Sequence, residues 1–152
     1  MIKVITQDES FLQEVSIDVD LRAEEDIILT KEIIQDLKDT ALDVHFNNEI
    51  GCGGLASNQI KMSKRIFIIK DKKNHFKTFI NPRIIKKSKK MIHIEGGEGC
   101  LSRPGKFTIK RRHNKIEVAY NDIEGKKKKA TYSGMQSIAF QHEVDHLNGI
   151  LI

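Results

Sequence analysis

The stretch QHEVDHLNG, residues 141 to 149, decides how this chain is read. On an α-helix, residues four apart share a face, so His142 and His146 present their imidazoles to a common point. Glu143 lies about 100° around the helix from His142, close enough to reach a metal-activated water without being a ligand. This is the H-E-x-x-H arrangement, in which the glutamate works as general base. Two histidines and two acids can also simply decorate an amphipathic helix. Two imidazoles are one ligand short of a catalytic metal site, so the metal reading needs a third donor from elsewhere.

Working outward, helical spacing runs from Ser133, a candidate N-cap, through Met135, Ile138, Ala139, His142, His146 and Leu147. A second helical period covers Ile33, Ile34, Leu37, Ala41, Leu42 and His45-Phe46, with Thr30 as N-cap and an end near Asn47-Asn48. A glycine-rich loop, GCGG at 51–54, follows. Between the helices the chain reads as strands: RIFIIK at 65–70, a turn at 71–74, HFKTFI at 75–80, and another extended piece from NPRII, with Pro82 at a strand start or edge. FTIKR at 107–111 and KIEVAY at 115–120 alternate apolar and polar residues, and a turn at Asn121-Asp122 and Gly125 leads into KKKKATY. The pattern predicts an α+β fold: short, mostly antiparallel β-sheets packed around a C-terminal H-E-x-x-H helix, with a second helix nearer the N-terminus. No linker or repeat divides residues 1–152, which are expected to form a single catalytic domain.

Bulk composition narrows the function classes. With 31% charged and 39% hydrophobic residues, the chain reads as an ordinary globular protein. No apolar run approaches the ~18 residues of a membrane span, and the N-terminus lacks the features of a signal or transit peptide. The expected location is cytoplasmic. The formal net charge of +5 comes largely from KKSKK at 86–90, KRR at 110–112 and KKKK at 126–129. No aromatic residues interleave with these runs as a base-stacking surface requires, so solvated loops and strand edges account for them better than nucleic-acid binding. The two cysteines, Cys52 and Cys100, read first as thiols. Cys100 lies in GGEGCLSRPG, where Gly99 would let backbone approach a metal; a buried small hydrophobe is the competing reading.

Three stretches in order, Gly54-Leu55-Ala56-Ser57-Asn58-Gln59, Glu98-Gly99-Cys100-Leu101-Ser102 and QHEVDHLNG, resemble the signature motifs of the peptide deformylase family. The resemblance spans nearly the whole chain. It implies that Cys100, His142 and His146 hold one divalent metal, natively Fe²⁺, with Zn²⁺, Ni²⁺ or Co²⁺ also accepted. It implies Glu143 as general base and then acid, and Gln59 with the backbone N–H of Leu101 as donors to the formyl oxygen as it turns negative. The implied reaction hydrolyses the formyl amide of N-formylmethionyl nascent polypeptides and releases formate. The ribosome is a further implied partner; no membrane and no sequence-specific nucleic acid are implied. Gly54 would let a substrate strand pair beside the backbone. Met135, Ile138 and Ala139 could line a pocket for the methionine side chain, or be plain core. Asp145 is expected to pair with Arg112, while His45, His75, His93 and His113 have no ligand spacing.

The chain departs from the family pattern at several points. Cys52 stands where the first motif usually has glycine, and Ser57 where it usually has alanine. Cys52 is expected to crowd the substrate loop and to offer an oxidisable thiol. Arg103 to Phe107 replace a segment that usually carries a large apolar residue and an arginine, and the sequence stops at Ile152, where bacterial members usually continue into a C-terminal helix. Two other readings stand beside the leading one: a related metallohydrolase acting on a different formyl or acyl amide, and a basic domain that binds RNA or ribosomes without catalysis.

Overall fold

The computed structural model describes residues 1–47 and 51–152. Its elements run α1 (Glu9–Leu12), α2 (Glu24–Asn47), β1 (Gly54–Ala56), a 3-10 turn (Ser57–Ile60), β2 (Ile66–Lys70), β3 (Phe76–Lys87), β4 (Met91–Ile92), β5 (Glu98–Cys100), β6 (Arg103–Thr108), β7 (Arg112–His113), β8 (Lys115–Asn121), β9 (Lys127–Ser133) and α3 (Met135–Leu147). The main sheet has the order β1-β2-β3-β8-β9, and β4-β7 and β5-β6 form two small sheets. Every paired strand in these sheets is antiparallel. The architecture is the expected α+β arrangement.

The run IFIIK is apolar without alternation because helices cover both faces of the strand it forms. Ile66 and Ile68 join Ile33, Ile34 and Leu37 of α2 in one core. Phe67 and Ile69 point the other way and join Phe79, Val118, Phe140 and Leu147 in a second. The central strands therefore lie between α2 and α3. In the second core, the Phe140 ring meets Phe67 at 5.1 Å and Phe79 at 5.2 Å, both edge-to-face. These contacts fix the face of α3 opposite its histidines.

Several boundaries differ from those the spacing predicts. Thr30 does not cap α2, which begins at Glu24; Thr30 is buried inside it. Glu24, Glu25 and Asp26 occupy the first turn, where negative charge is favoured by the positive end of the helix dipole. Of the expected end at Asn47-Asn48, Asn48 lies outside the described residues. Ser133 does not cap α3, because it is still paired in β9 with Lys115. The chain turns at Gly134, whose φ of 61° and ψ of −135° suit glycine alone. The pieces at 75–80 and from 81 are one strand, β3, with a register shift between Ile80 and Arg83. Asn81 adopts φ 48° there, so Pro82 sits at an irregularity and not in a regular ladder. β6 begins at Arg103 and ends at Thr108, earlier than FTIKR suggests, because it pairs with β5 across a tight turn at Leu101-Ser102. The short helix α1, capped by Asp8 accepting from the Phe11 N–H at 3.2 Å, has no periodic signal in its four residues.

Truncation of Phe140, which is fully buried, removes the aromatic that joins α3 to the sheet. Phe140→Ala is expected to cost about 3–5 kcal/mol in chemical-denaturant unfolding, with weaker metal retention following from the loosened helix.

Candidate metal centre and active site

Two elements bring the candidate ligands together. The turn between β5 and β6 presents Cys100, and α3 presents His142 and His146 from successive turns. Their ligand atoms lie within 4.8 Å of one another, with Cys100 Sγ 3.3 Å from His146 Nε2.

The His142 ring is oriented by what its other nitrogen meets. His142 Nδ1 is 2.9 Å from Glu98 Oε1, which leaves Nε2 for the common point. Glu98 is in turn clamped by Arg112, whose Nε and Nη2 each donate to it at 2.9 Å. Arg112 Nη1 donates to Asp145 at 2.6 Å, and Lys110 Nζ to the same oxygen at 2.8 Å. The expected Arg112–Asp145 pair is thus present, as one edge of a larger network. His146 is placed through the backbone: Asn58 Nδ2 donates to its carbonyl at 2.7 Å.

Burial would lower the His142 pKa, but hydrogen bonds with Cys100 and Glu98, and the nearby Glu143 charge, push it up to about 10. Burial, reinforced by the charges of His142 and Arg112, pushes His146 down to about 3. Burial works against the Glu98 carboxylate as well, yet His142 and Arg112 hold it at about 2. Glu143 is pushed up to about 7 by burial, partly offset by His142 and Arg112.

These residues fit a divalent metal. Among the described residues, Glu143, which lines the cleft, has its Oε2 buried without a hydrogen-bond partner. One sulfur and two imidazole nitrogens suit Zn²⁺ or Fe²⁺ as donors, and three protein ligands leave a position for substrate or water.

Around this centre lies a cleft of about 640 Å³. Glu143 and the expected contact residues Gly54, Gln59, Leu101, Met135, Ile138 and Ala139 all line it. Ile138 is buried and Met135 is 64% exposed, so the α3 wall offers an apolar surface that deepens inward. The Gln59 amide is fixed at both ends. Its carbonyl accepts from the Ala56 N–H at 3.0 Å, and its NH₂ faces Ser102 Oγ at 3.1 Å and Cys100 Sγ at 3.8 Å. Gly54 is required by its neighbour, since a Cβ there would lie 2.5 Å from Glu143 Oε1.

The departures in the first motif are buried, with Cys52 at the border of the cleft. Cys52 does not present a reactive thiol: it is 2% exposed and packs in the α2 core. Burial, with the Glu143 charge, pushes its pKa up to about 12. Its Sγ donates to the Gly54 carbonyl at 3.3 Å. The Ser57 hydroxyl donates to the Lys64 carbonyl. Sequence spacing missed the parts played by Glu98, Asn58 and Ser102, although all three stand inside the motifs; their partners are 44, 88 and 43 residues away along the chain.

The family described as Polypeptide deformylase matches the chain over residues 1–152. The chain belongs to that family. Peptide deformylase 2 of Bacillus cereus is 34% identical over 160 aligned residues, covering 97% of this chain and 85% of that protein. The peptide deformylase of Halalkalibacterium halodurans is 39% identical over 103 residues, and the match spans 64% of this chain and 57% of that relative's length. Among solved structures, the class I type b peptide deformylase of Acinetobacter baumannii superposes with a TM-score of 0.85 at 25% identity, covering 99% of this chain and 96% of that one. The deformylase of the Vibrio parahaemolyticus bacteriophage VP16T, in complex with actinonin, gives 0.84 at 28% identity, covering 99% and 100%. Deformylases are metal-dependent, and in this member Cys100, His142 and His146 form a group that could hold the ion.

Glu98→Gln keeps the size of the side chain but removes the charge that orients His142. Metal affinity is expected to fall about 10- to 100-fold, measured by competition with a chromogenic chelator, while the fold persists by circular dichroism.

Proposed function

We propose that this chain hydrolyses the formyl amide of N-formylmethionyl peptides and releases formate. What carries the reading is the convergence on one cleft of a Cys-His-His donor set, the buried Glu143 and the fixed amide of Gln59. Cys100, His142 and His146 would hold one divalent metal, Fe²⁺ natively, with Zn²⁺, Ni²⁺ or Co²⁺ able to replace it. When bound, such an ion supplies Lewis acidity and makes water nucleophilic near neutral pH.

The chain's own groups do the rest. Glu143 takes the proton of the attacking water and returns it to the leaving amine nitrogen. Its burial at 4% exposure shields that proton from bulk water. The Gln59 NH₂ and the Leu101 N–H donate to the carbonyl oxygen as it becomes tetrahedral and negative. A neutral amide suits this task, because it offers donors without adding charge beside the ligands. Ile138, Ala139 and Met135 receive the methionine side chain, and a peptide strand runs along Gly54, where β1, the edge of the main sheet, meets the cleft. The catalytic unit spans residues 1–152. Its substrates are nascent polypeptides in the cytoplasm, with the ribosome as the partner that delivers them. Among the described residues, no helix is long and apolar enough to cross a membrane.

The test is formate release from a formyl-Met-Ala-Ser peptide by protein loaded anaerobically with Fe²⁺, or with Ni²⁺. Turnover should disappear with a chelator and return on adding metal. Glu143→Gln is expected to lower kcat by about 10²- to 10⁴-fold with metal content unchanged. No turnover by fully loaded protein would sink the reading.

Gly54→Ala should lower kcat by about 10²-fold, because its methyl group would push Glu143 from its place. Metal stoichiometry, followed by atomic absorption, should stay at the wild-type value.

A further inference from the structure

β6 carries a feature that its small sheet does not need. Phe107 is 58% exposed and lines the cleft. It pairs with Gly99, one residue before Cys100. The ring lies across that glycine: its Cε1 is 3.1 Å, and its Cδ1 3.5 Å, from where a Cβ on Gly99 would stand. Residues 98 and 99 face opposite sides of the hairpin. Glu98 turns in toward His142, and Gly99 leaves the other side bare as a seat for the ring. An aromatic is thereby held with much of its surface facing the cleft, beside a metal ligand, and contributes little to either core.

We infer that Phe107 is a specificity-determining residue that selects an apolar or aromatic side chain at the position after the formylmethionine. This rests on the deformylase reading. An extended peptide sends successive side chains to opposite sides. With the methionine side chain against α3, the next side chain is directed away from α3, to the side of the β5–β6 hairpin where Phe107 covers Gly99. The gain comes from covering the exposed ring, and an aromatic contact of this kind is worth on the order of 3- to 10-fold in affinity.

Two measurements on the same metal-loaded samples separate this inference from the reading beneath it. In the first, isothermal titration calorimetry compares binding of the unformylated peptides Met-Phe-Ser and Met-Ala-Ser. In the second, kcat/KM is compared for their formylated counterparts. The wild-type chain should prefer the phenylalanine peptide by roughly 3- to 10-fold in both. In Phe107→Ala the ratio should fall to near one, and Phe107→Leu should keep part of it. Equal binding of the two peptides by the wild type would overturn the inference. So would a preference that persists in Phe107→Ala, or a loss of the same size for both peptides. Absence of hydrolysis speaks against deformylation alone, since the binding ratio still reports on Phe107.

Discussion

The buried guanidinium of Arg112 is the constraint around which the site is organised. It bridges Glu98 on β5 and Asp145 on α3, and it is only 4% exposed. Taking such charges out of water is costly, and a buried ion pair is by itself weak support for stability. Here the cost is offset by geometry: both Glu98 oxygens are engaged by Arg112, and one of them also meets His142. The network joins three elements far apart in sequence and sets the rotation of one imidazole. Losing Arg112 would leave the buried Glu98 carboxylate without its two guanidinium donors beside a candidate ligand, which is far worse than losing a surface pair.

The helix that carries the site is also a core element. Phe140 and Leu147 of α3 enter the aromatic core under the sheet, while His142 and Glu143 face the cleft. A further contact keeps the helix in register with β7. The Gln141 amide accepts from the His113 N–H at 3.0 Å and donates to the His113 carbonyl at 2.8 Å. Gln141 thus takes the part of a neighbouring strand, so a helical displacement that moved the histidines would break a buried polar pair. His113, which has no ligand spacing, acts through its backbone.

What could be read from the sequence follows from how local each feature is. The facing of His142 and His146 depends only on helical period, and two-sided burial of β2 is written in the run IFIIK. Cys100 could be nominated from its glycine neighbours, but its meeting with the histidines depends on a hairpin whose partner strand carries no clear alternation. Helix starts differ from the local rule where context outweighs side-chain chemistry. Thr30 has the side chain of a cap, yet the helix already has a favourable acidic turn upstream. Ser133 has one too, yet strand pairing holds it until Gly134. Glu98 was hidden for another reason: its partners are an arginine and a histidine that neither periodicity nor spacing connects to it.

The divergent first motif is decided by where each side chain points. A side chain at Gly54 would displace Glu143 and crowd the Ile68 carbonyl, because both stand where a Cβ would come. Positions 52 and 57 are buried, position 52 at the border of the cleft, and there the chain carries a thiol and a hydroxyl that find carbonyl partners. The serine is absorbed by the interior, and the cysteine, though it borders the cleft, is buried against the α2 core. The same reasoning gives the opposite result at Phe107, where the side chain faces the cleft and no core contact demands it. Replacements that point inward must satisfy packing, whereas replacements on the cleft wall change what the cleft can hold.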